Sequence, residues 1–483
     1  MRSCLIPHHP EDDPGLLLPQ LWVNRTLSYS AQADRYGVSG LMGIHWRVRE
    51  VGPQLTALAA FPWNTSLTAR QHLIDFFTAE IGEKMGPEAA RIILAVDSYK
   101  VPGIISIPNT ALPRPDTWVS GPGNIVPNPL PWEAVAGNYS FVDEFMALGA
   151  TISDSAAKAR FAFWSHSLQY LREAGKLGCA WAEVSDCLAK AKPTACRAGE
   201  SVGCWHDCPR VLPITITIND ANLTLDKCAS ECAPMLYAGV EFGKACFCGT
   251  AVPSQPHIDC PAMEMPCSGD ASEGCGGNCL IHVRKSECKK SPFDPKVMAE
   301  KCYPVWDDLV ATAESMMNHV LAMVSTTGTL GTVQNLQQHN FPKILNDTIR
   351  LFEASLGGPM PESHLPRHIF TGQERLFLTT TRQSIAKGES LRLRAFVLVA
   401  NGGTPRAPIL HVRTMASGSP WTSVTMTLKM AARSVFQAKV PDSIVTRDFE
   451  YYVAWQGTHV SHTWPPGAPT VPHTVVVLPG LEV

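Results

Sequence analysis

The chain has 483 residues, of which 45% are hydrophobic and 17% charged, and its formal net charge is −3 at pH 7. At about 150 residues per domain this length predicts about three domains, and the apolar content excludes a wholly disordered chain. The near balance of 40 basic and 43 acidic residues excludes the broad cationic surface of a general nucleic-acid-binding protein or of a polybasic membrane anchor.

A short buried strand is the first predicted element. Small and apolar residues within 36–49 precede His45, Trp46 and Arg47, and a buried parallel strand has this composition. The C-terminal end of such a strand is where α/β proteins usually build their sites. These three side chains are therefore candidate site residues.

Helical periodicity follows the strand. Thr68 and Gln71 form a capping-box pattern, and apolar side chains at helical spacing come after them. Residues 92–97 fit either a strand or the end of a helix. Residues 101–138 are rich in proline and glycine, which favours an irregular segment. Helical spacing returns in residues 141–177.

Cysteine is the most unevenly distributed residue. Cys4 stands alone, and the other fifteen of the 16 cysteines lie between Cys179 and Cys302, eleven of them between Cys204 and Cys288. Such density in a short segment indicates either disulfides formed in an oxidising compartment or a metal cluster. The closely spaced cysteines do not repeat as a four-ligand zinc site would, so we predict disulfides and no metal site.

Sequons for N-glycosylation favour the secretory route as well. Five occur, each weak alone because the pattern arises easily by chance; they begin at Asn24, Asn64, Asn138, Asn222 and Asn346. No apolar stretch reaches the length of about 20 residues that a transmembrane helix needs. The first residues also lack the apolar run of a signal peptide. We therefore expect a secreted or cell-surface protein whose true N-terminus lies upstream.

Beyond the cysteines the period of the apolar pattern changes twice. Residues 306–324 have a wide apolar face at helical spacing, which Thr327 and Gly328 interrupt. The cysteine-rich segment thus interrupts a run of helices, as an inserted domain would. From Arg375 the period is two, with turn residues between short segments, which predicts an antiparallel β-sandwich of the immunoglobulin or fibronectin type.

The cysteine-rich segment resembles a WSC domain, the small module of fungal wall-stress sensors and of many extracellular glycan-active proteins. Its most specific motifs are Gly239-Val240-Glu241-Phe242-Gly243 and Cys246-Phe247-Cys248-Gly249. Eight cysteines follow the order of the family, namely Cys204, Cys228, Cys232, Cys246, Cys248, Cys260, Cys267 and Cys275. In a module with so little core, several disulfides would supply the missing stability. Cys208, Cys279 and Cys288 are additional to this pattern, and their pairing is left open.

The resemblance also implies carbohydrate binding. Such binding needs aromatic faces against the apolar side of sugar rings and polar groups for the hydroxyls. The candidate residues are Trp205, Asp207, Arg210, Tyr237, Glu241 and Asn278. The alternative for the aromatic residues is a place in the small core, which we favour for Phe242 and Phe247. For Trp205 and Tyr237 both interpretations stay open.

The flanks resemble a second family. Four segments are similar to the last barrel strand and the following helices of certain glycoside-hydrolase-like proteins: residues 34–47, 141–145, 161–164 and 325–339. Under this resemblance His45 and Arg47 hold sugar hydroxyls or a carboxylate and Trp46 stacks on a sugar, the alternative being structural packing. A complete (β/α)8 barrel needs ~250 residues, far more than precede this strand, so only a barrel remnant is expected.

No catalytic residue is assigned. Glycosidases usually carry two carboxylates across the scissile bond, and no such pair is evident. Asp143 and Glu144 are neighbours on a predicted helix, where adjacent side chains point apart. Asp97 is a lone candidate, for which a capping role is the better interpretation. No nucleotide, metalloprotease or serine-hydrolase motif occurs, so no cofactor is predicted, and whether the chain is an enzyme stays open.

The sequence thus predicts a multidomain α+β protein. Its predicted parts are a barrel remnant at 1–67, a helical region at 68–199 that continues at 291–370, the WSC module at 200–290 and the β-sandwich at 371–483. The predicted function is extracellular binding of polysaccharide or glycoprotein glycans through the WSC module. The alternatives are an N-terminally incomplete polysaccharide-degrading hydrolase and a non-catalytic wall or matrix interaction protein. No nucleic-acid partner and no membrane span are expected, and the oligomeric state is not predicted.

Overall fold

A computed structural model of the chain describes most of its residues in two compact units. The described residues are 4–5, 23–42, 49, 51–97, 116–117, 124–125, 127–190, 196–208, 210–233, 235–252, 260, 265–288, 295–324, 327–356, 358–367, 369–416 and 418–479. The first unit comprises residues 1–179, 312–336 and 367–483, and the second comprises residues 180–311 and 337–366.

Helices and strands alternate in blocks along the chain. The helices are α1 (Val23–Arg35), α2 (Gly52–Ala60), α3 (Ala69–Ile81), α4 (Gly86–Asp97), α5 (Trp132–Val135), α6 (Ser140–Ala147), α7 (Ser155–Lys190), α8 (Leu225–Glu231), α9 (Pro295–Met323), α10 (Thr327–Asn335) and α11 (Asp347–Leu356). Short π-helical segments lie at Leu336–Asn340 and Pro342–Asn346.

The strands form five sheets within the described residues. The strands are β1 (Cys4–Leu5), β2 (Gly40–Leu41), β3 (Asp116–Thr117), β4 (Asn124–Ile125), β5 (Cys196–His206), β6 (Ile214–Thr217), β7 (Tyr237–Glu241), β8 (Ala245–Gly249), β9 (Leu280–Cys288), β10 (Arg375–Leu378), β11 (Ser384–Ala386), β12 (Arg392–Leu398), β13 (Ile409–Thr414), β14 (Thr422–Thr425), β15 (Thr427–Met430), β16 (Val435–Lys439), β17 (Phe449–Gln456), β18 (Ser461–Trp464) and β19 (His473–Leu478). The chain therefore has mixed helical and β content with several antiparallel sheets.

The helix predicted from Thr68 is confirmed as α3. Thr68 Oγ1 accepts a hydrogen bond of 3.1 Å from the Gln71 N–H and so caps the helix N-terminus. Leu73 and Phe77 on its apolar face are fully buried. Residues 92–97, for which strand and helix were both open, form the last turns of α4.

Aromatic rings hold α3, α6 and α7 together. The ring centroids of Phe77 and Trp164 lie 5.5 Å apart, and Phe145 stacks on Phe161 at 5.3 Å. Trp164 Nε1 donates a 3.0 Å hydrogen bond to Glu80, so the polar edge of this buried ring is satisfied. The helical spacing predicted for residues 141–177 is thus confirmed.

The short buried strand predicted within residues 36–49 is wrong for the part that the structure describes. Only Gly40–Leu41 is extended, as strand β2 parallel to β1. Tyr36 and Met42 are 72% and 49% exposed, so this segment is not in a core. His45, Trp46 and Arg47 lie outside the described residues.

A glycine explains the difference. Gly37 has φ +63°, the left-handed conformation that commonly follows the last turn of a helix. The Val38 N–H reaches back to the carbonyl of Ala33 at 2.9 Å, as in a Schellman motif. Gly37 therefore ends helix α1 instead of belonging to a strand.

Residues 375–478 form a β-sandwich. One sheet has the order β10-β12-β16-β15, and the other has the order β11-β19-β17-β13-β14 with β18 paired to β17. Leu393 of the first sheet and Leu410 and Val453 of the second are fully buried in one common core. Alternate residues of each strand point into that core, which is the period of two in the sequence. Most pairs are antiparallel, whereas β11 and β19 are parallel.

The second unit contains the cysteine-rich module. Its five-stranded antiparallel sheet has the order β5-β9-β7-β8-β6. One face of the sheet packs on α8 around Cys228, Cys246 and Val240, and the other buries Phe247 and Ile281. Strand β5 begins at Cys196, a few residues before the predicted boundary of the module.

Disulfides frame this unit, as the sequence predicts. The bonds are Cys187–Cys302, Cys204–Cys260, Cys208–Cys279, Cys228–Cys246, Cys232–Cys248 and Cys267–Cys275. The eight cysteines of the WSC pattern pair among themselves, and the open question about Cys208 and Cys279 is answered by their bond. Cys196 is disulfide-bonded as well, whereas Cys179 is free and buried.

The apolar face predicted for residues 306–324 is also confirmed. Trp306, Leu309 and Met316 of α9 are fully buried, and the helix ends at Met323, before α10 begins at Thr327. Among the described helices, none has both the length and the apolar composition needed to cross a bilayer.

Candidate functional site

Four turns of the cysteine-rich module meet at one end of its sheet. Backbone hydrogen bonds join Asp207 to Cys279, Asp220 to Lys244, Gly243 to Cys275 and Gly269 to Leu223, all between 2.8 and 3.0 Å. We call this end the tip and define it as residues 206–208, 210, 218–223, 241–245 and 265–280. The disulfides Cys208–Cys279 and Cys267–Cys275 lie within it, so the turns are covalently braced.

Phe242 stands out at the tip because its ring is exposed. It lies in the turn between β7 and β8, where Phe242 and Gly243 have φ angles of +55° and +71°. Two consecutive left-handed residues make the tight hairpin turn that suits the twist of its strands. Gly243 is required there, since a Cβ on it would lie 2.5 Å from the Pro266 carbonyl oxygen.

The position of Phe242 is costly in two ways. A bulky residue with positive φ is a backbone outlier that costs on the order of 1–2 kcal/mol. Its side chain is also 42% exposed, so burial does not offset that cost. The core position favoured for Phe242 from sequence is therefore wrong, whereas Phe247, which is 1% exposed, is in the core as predicted.

Three predicted polar residues come together beside this turn. Arg210 Nη1 donates to a carboxylate oxygen of Asp207 and, at 2.9 Å, to Glu241 Oε2. The guanidinium carbon lies 3.9 Å from the ring centroid of Phe247, a cation–π arrangement. Both carboxylates are buried, while the Arg210 side chain is 43% exposed. The acids thus hold the arginine in place, and the arginine faces solvent.

This group contains two carboxylates, those of Asp207 and Glu241, but only one positive charge, that of Arg210. Burial raises the pKa of Glu241, Arg210 opposes that rise through its hydrogen bond, and the nearby Asp207 adds to it. Two buried carboxylates share one guanidinium, so removal of Arg210 would leave both without a counter-charge.

The structure separates the remaining candidates. Asn278 is exposed in the tip turn between Gly277 and Leu280. Tyr237 is half-buried at the opposite end of β7 and therefore does not join the tip. Trp205 is 4% exposed within a core cluster, which favours the packing interpretation of this residue; its part in carbohydrate binding stays a prediction.

Phe242 is the exposed aromatic residue of the tip that sequence reasoning assigned to the core. Aromatic residues are usually assigned to a core because burial of their large area is favourable. The signal that identifies Phe242 is the Phe-Gly pair between two short alternating strands, which is typical of a tight hairpin turn. Met265 and Ile218, which are also in the tip, are 45% and 48% exposed, so the apolar surface extends beyond one ring.

Two groups of side chains in the described residues are close enough to bind a metal ion, but their cysteines are not available as thiolates. One group consists of Cys204, Cys260 and His282, and the other of Cys228, Cys232 and Cys246. All these cysteines are disulfide-bonded. His282 Nε2 lies 2.7 Å from Ser201 Oγ. The sulfurs are thus committed to covalent bonds.

The acidic residues considered for catalysis form ion pairs or hydrogen bonds with other parts of the chain. Asp143 pairs with Arg172 at 2.7 Å and Glu144 with Arg91 at 3.0 Å, so these neighbours do point apart. Asp97 accepts a 2.8 Å hydrogen bond from the backbone N–H of Asn24 in the first turn of α1. Burial raises the pKa of Asp97 to about 7, against the lowering effect of hydrogen bonds from Asn24. Its position is that of a helix cap.

The five sequons differ in accessibility. Asn64, Asn222 and Asn346 are exposed, whereas Asn24 and Asn138 are half-buried. An oligosaccharide needs an accessible amide nitrogen, so the exposed three are the better acceptors. Glycosylation of all five stays a prediction.

Comparison with known proteins identifies the module. Residues 201–277 match the family model of the WSC domain. The chain is 33% identical over 88 residues to a WSC domain-containing protein of Arthroderma benhamiae, which covers 18% of this chain and 12% of that protein. It is 35% and 34% identical over 89 residues to Kremen protein 1 of Rattus norvegicus and of Homo sapiens, which covers 17% of this chain and 19% of each relative.

The similarity is therefore that of one module. Residues 201–277 are a WSC domain, whereas the chain spans less than a fifth of the length of these relatives. WSC domains and disulfides at this density are features of extracellular and cell-surface proteins.

Proposed function

We propose that this chain is a secreted or cell-surface glycan-binding protein and that the tip of its WSC domain contacts the sugar. The observation that carries the proposal is Phe242, an exposed ring held in a strained conformation on a disulfide-braced turn. Strain of this kind concentrates at functional sites. The ring would stack on the apolar face of a sugar.

Polar groups around the ring complete the proposed site. Arg210 uses only Nη1 for its two carboxylate partners, and a guanidinium carries five N–H donors, so donors remain for sugar hydroxyls. Asn278 and Lys244 are exposed in neighbouring turns. In this arrangement Asp207 and Glu241 are positioning residues for Arg210.

The test compares two exposed apolar side chains of the same domain. Full-length protein is passed over a panel of immobilised polysaccharides and over a glycan array. Phe242→Ala is expected to lose most of the retention, because it removes the stacking ring. Leu236→Ala, which truncates a side chain that is 60% exposed just before β7 and outside the tip, is expected to bind like the wild type.

Two outcomes would contradict this proposal in different ways. Equal retention of Phe242→Ala and the wild type would refute the tip as the site. Absence of wild-type retention on every glycan would refute glycan binding itself and would favour the non-catalytic matrix interaction protein.

The context of the WSC domain is a further part of the proposal. The resemblance of the flanks to glycoside-hydrolase-like proteins supports helices followed by an immunoglobulin-like sandwich, whereas the strand expected of a barrel remnant is limited to Gly40–Leu41 in the described residues. The strand orders of the two sheets are consistent with such a sandwich, in which four strands face the strands of a second sheet. Release of reducing ends from a polysaccharide by the purified chain would favour the hydrolase alternative instead.

A further inference from the structure

The outer face of the larger sandwich sheet carries a cluster of aromatic and charged side chains. His411 and Arg413 of β13 lie opposite Tyr452 and Glu450 of β17. Trp421 directly precedes the edge strand β14. These five residues are half-buried, and we call them the aromatic face. None of them belongs to the buried core of the sandwich.

The rings of the aromatic face support one another. His411 stacks on Tyr452 with centroids 4.5 Å apart, and the rings of Trp421 and Tyr452 are nearly perpendicular with centroids 4.9 Å apart. The guanidinium carbon of Arg413 lies 4.3 Å from the Trp421 centroid. Such mutual packing fixes the rings and lowers the entropy that a ligand would have to remove on binding.

Trp421 offers the ring surface. Arg413 packs on one of its faces, and the described residues place no second cation on it. Because β14 is the last strand of its sheet, no strand of the described residues flanks it on the outer side, where Trp421 leads into it. A planar ring at a sheet edge can stack on the C–H face of a sugar.

The charges of the aromatic face cancel. Arg413 Nε donates to Glu450 Oε1 at 2.5 Å, so the two ions form a neutral pair. Burial lowers the pKa of His411, which keeps its imidazole neutral at pH 7. His411 Nδ1 also lies 2.9 Å from Ser423 Oγ. The surface therefore combines rings, donors and acceptors without net charge, which is complementary to a neutral, hydroxyl-rich ligand.

We propose that the aromatic face is a second glycan-binding surface and that it takes a neutral polysaccharide chain. The ligand class follows the proposed function, but the site does not depend on the WSC domain. A second copy of this chain is the competing occupant. It is less well matched, because a stable homodimer needs a larger apolar area than these half-buried polar residues offer.

The experiment is affinity electrophoresis of the full chain in gels that contain a neutral β-glucan, mannan or glycol chitin, with polygalacturonate as the charged counterpart. Trp421→Ala is expected to weaken retardation by at least one neutral polymer about tenfold, since the variant lacks the ring that stacks on the sugar. Trp421→Phe, which keeps a ring, is expected to restore part of the binding.

Controls separate this site from the tip and from misfolding. Leu428→Ala, a 51% exposed residue of the other sheet, is expected to migrate like the wild type. Phe242→Ala is expected to weaken retardation but to leave a remainder, which the added substitution Trp421→Ala removes, and near-native melting curves of every variant confirm the fold. If Phe242→Ala has no effect while Trp421→Ala does, the tip proposal fails and this one stands.

Three results would overturn the second surface. The first is unchanged retardation of Trp421→Ala and Tyr452→Ala in every neutral polymer, or no retardation of the wild type. The second is loss of all binding in Phe242→Ala. The third is a wild-type dimer in sedimentation velocity that Trp421→Ala converts to a monomer, which would identify a second copy as the occupant.

Discussion

Arg210 shows how a single residue links stability to the proposed site. Its guanidinium is the shared counter-charge of Asp207 and Glu241, both of them buried. A buried pair is costly to break, because the remaining charge stays desolvated without a partner. The residue proposed to contact the sugar is therefore also expected to stabilise the folded domain.

Arg210→Ala is expected to destabilise the WSC domain by about 3 kcal/mol. Arg210→Lys is expected to recover only part of that loss, since an ammonium group cannot replace the planar fork that lies over Phe247. Urea unfolding followed by near-UV circular dichroism measures both variants. If Arg210→Ala lowers the free energy of unfolding by less than about 1 kcal/mol, Asp207 and Glu241 do not depend on Arg210 as their counter-charge.

Asp97 predicts a specific pH dependence. Its pKa in the folded protein is raised to about 7, above the value of about 4 in an unfolded chain. The folded state thus binds the Asp97 proton more tightly than the unfolded chain does. Protonated Asp97 therefore stabilises the fold fully below pH 4, and this stabilisation is lost as the pH rises to 7. Asp97→Asn keeps an oxygen for the Asn24 N–H but cannot ionise.

The expected result is a difference in stability between the wild type and Asp97→Asn that changes with pH. Between pH 4 and pH 7 the wild type should lose on the order of 4 kcal/mol relative to Asp97→Asn. Thermal melts at matched ionic strength give this difference. Parallel pH profiles of the two proteins would mean that Asp97 has an ordinary pKa.

At the scale of elements, two histidines form a contact between α7 and α9. The Nδ1 atoms of His166 and His319 are 3.0 Å apart, a distance that requires at least one of them to be an unprotonated acceptor. Burial and Arg375 lower the pKa of His166 to about 4, and burial, His166 and Arg172 do the same for His319. The packing of these helices is therefore sensitive to acid.

Acidification is expected to weaken this contact. Because the folded pKa lies below the value of about 6.5 for an unfolded chain, the stabilisation is present above pH 6.5 and lost as the pH falls to 4. The loss is on the order of 3 kcal/mol for a histidine that must stay neutral. His166→Asn should show a flatter profile than the wild type in the same melts, and an equally steep profile would contradict this role.

The β7–β8 hairpin predicts a trade-off between stability and binding. Phe242→Gly relieves the left-handed backbone and is expected to stabilise the domain by up to about 1 kcal/mol. The same variant removes the exposed ring, so polysaccharide retention should fall as in Phe242→Ala. Gly243→Ala is the matched control and is expected to destabilise the domain, because its Cβ would clash with the Pro266 carbonyl. A destabilised Phe242→Gly variant would show that the ring packs in solution.

Periodic patterns were sufficient to predict several of the regular elements. The capped helix at Thr68, the apolar face of α9 and the alternating strands from Arg375 follow from side-chain spacing, because one buried face dictates it. Spacing fails where one glycine decides the backbone. Gly37 ends a helix and Gly243 completes a turn, and both depend on a left-handed φ that a hydrophobicity pattern does not record.

The sequence was sufficient to name several residues of the candidate site, but not to say which of them are buried and which are exposed. Sequence reasoning included Asp207, Arg210 and Glu241, yet which of them is buried depends on the pairing of strands far apart in the chain. The disulfide pairing is likewise beyond sequence counting, since six cysteines already allow 15 connectivities. Phe242 was assigned to the core because burial is the usual place of a phenylalanine.

At the scale of the whole molecule, the WSC domain accounts for only part of the chain. Its match covers residues 201–277, and the proposed second surface lies on the sandwich, more than 130 residues further along the sequence. Two weak sites on one chain gain effective concentration when they can engage the same polymer. Binding to long polysaccharides would then exceed binding to short oligosaccharides by more than the sum of two independent sites.

The disulfide Cys187–Cys302 supplies the last prediction, since it closes the longest loop of the described bonds. Its cysteines are 115 residues apart in sequence, whereas Cys267 and Cys275 are 8 apart. If disulfides act by restricting the unfolded chain, removal of the long-range bond should cost about 4 kcal/mol and removal of the short one about 2 kcal/mol. Double alanine variants of each pair, checked by intact mass before and after reduction, are unfolded in urea in parallel. A larger loss for Cys267→Ala/Cys275→Ala than for Cys187→Ala/Cys302→Ala would show that local bracing of the tip outweighs loop closure in this protein.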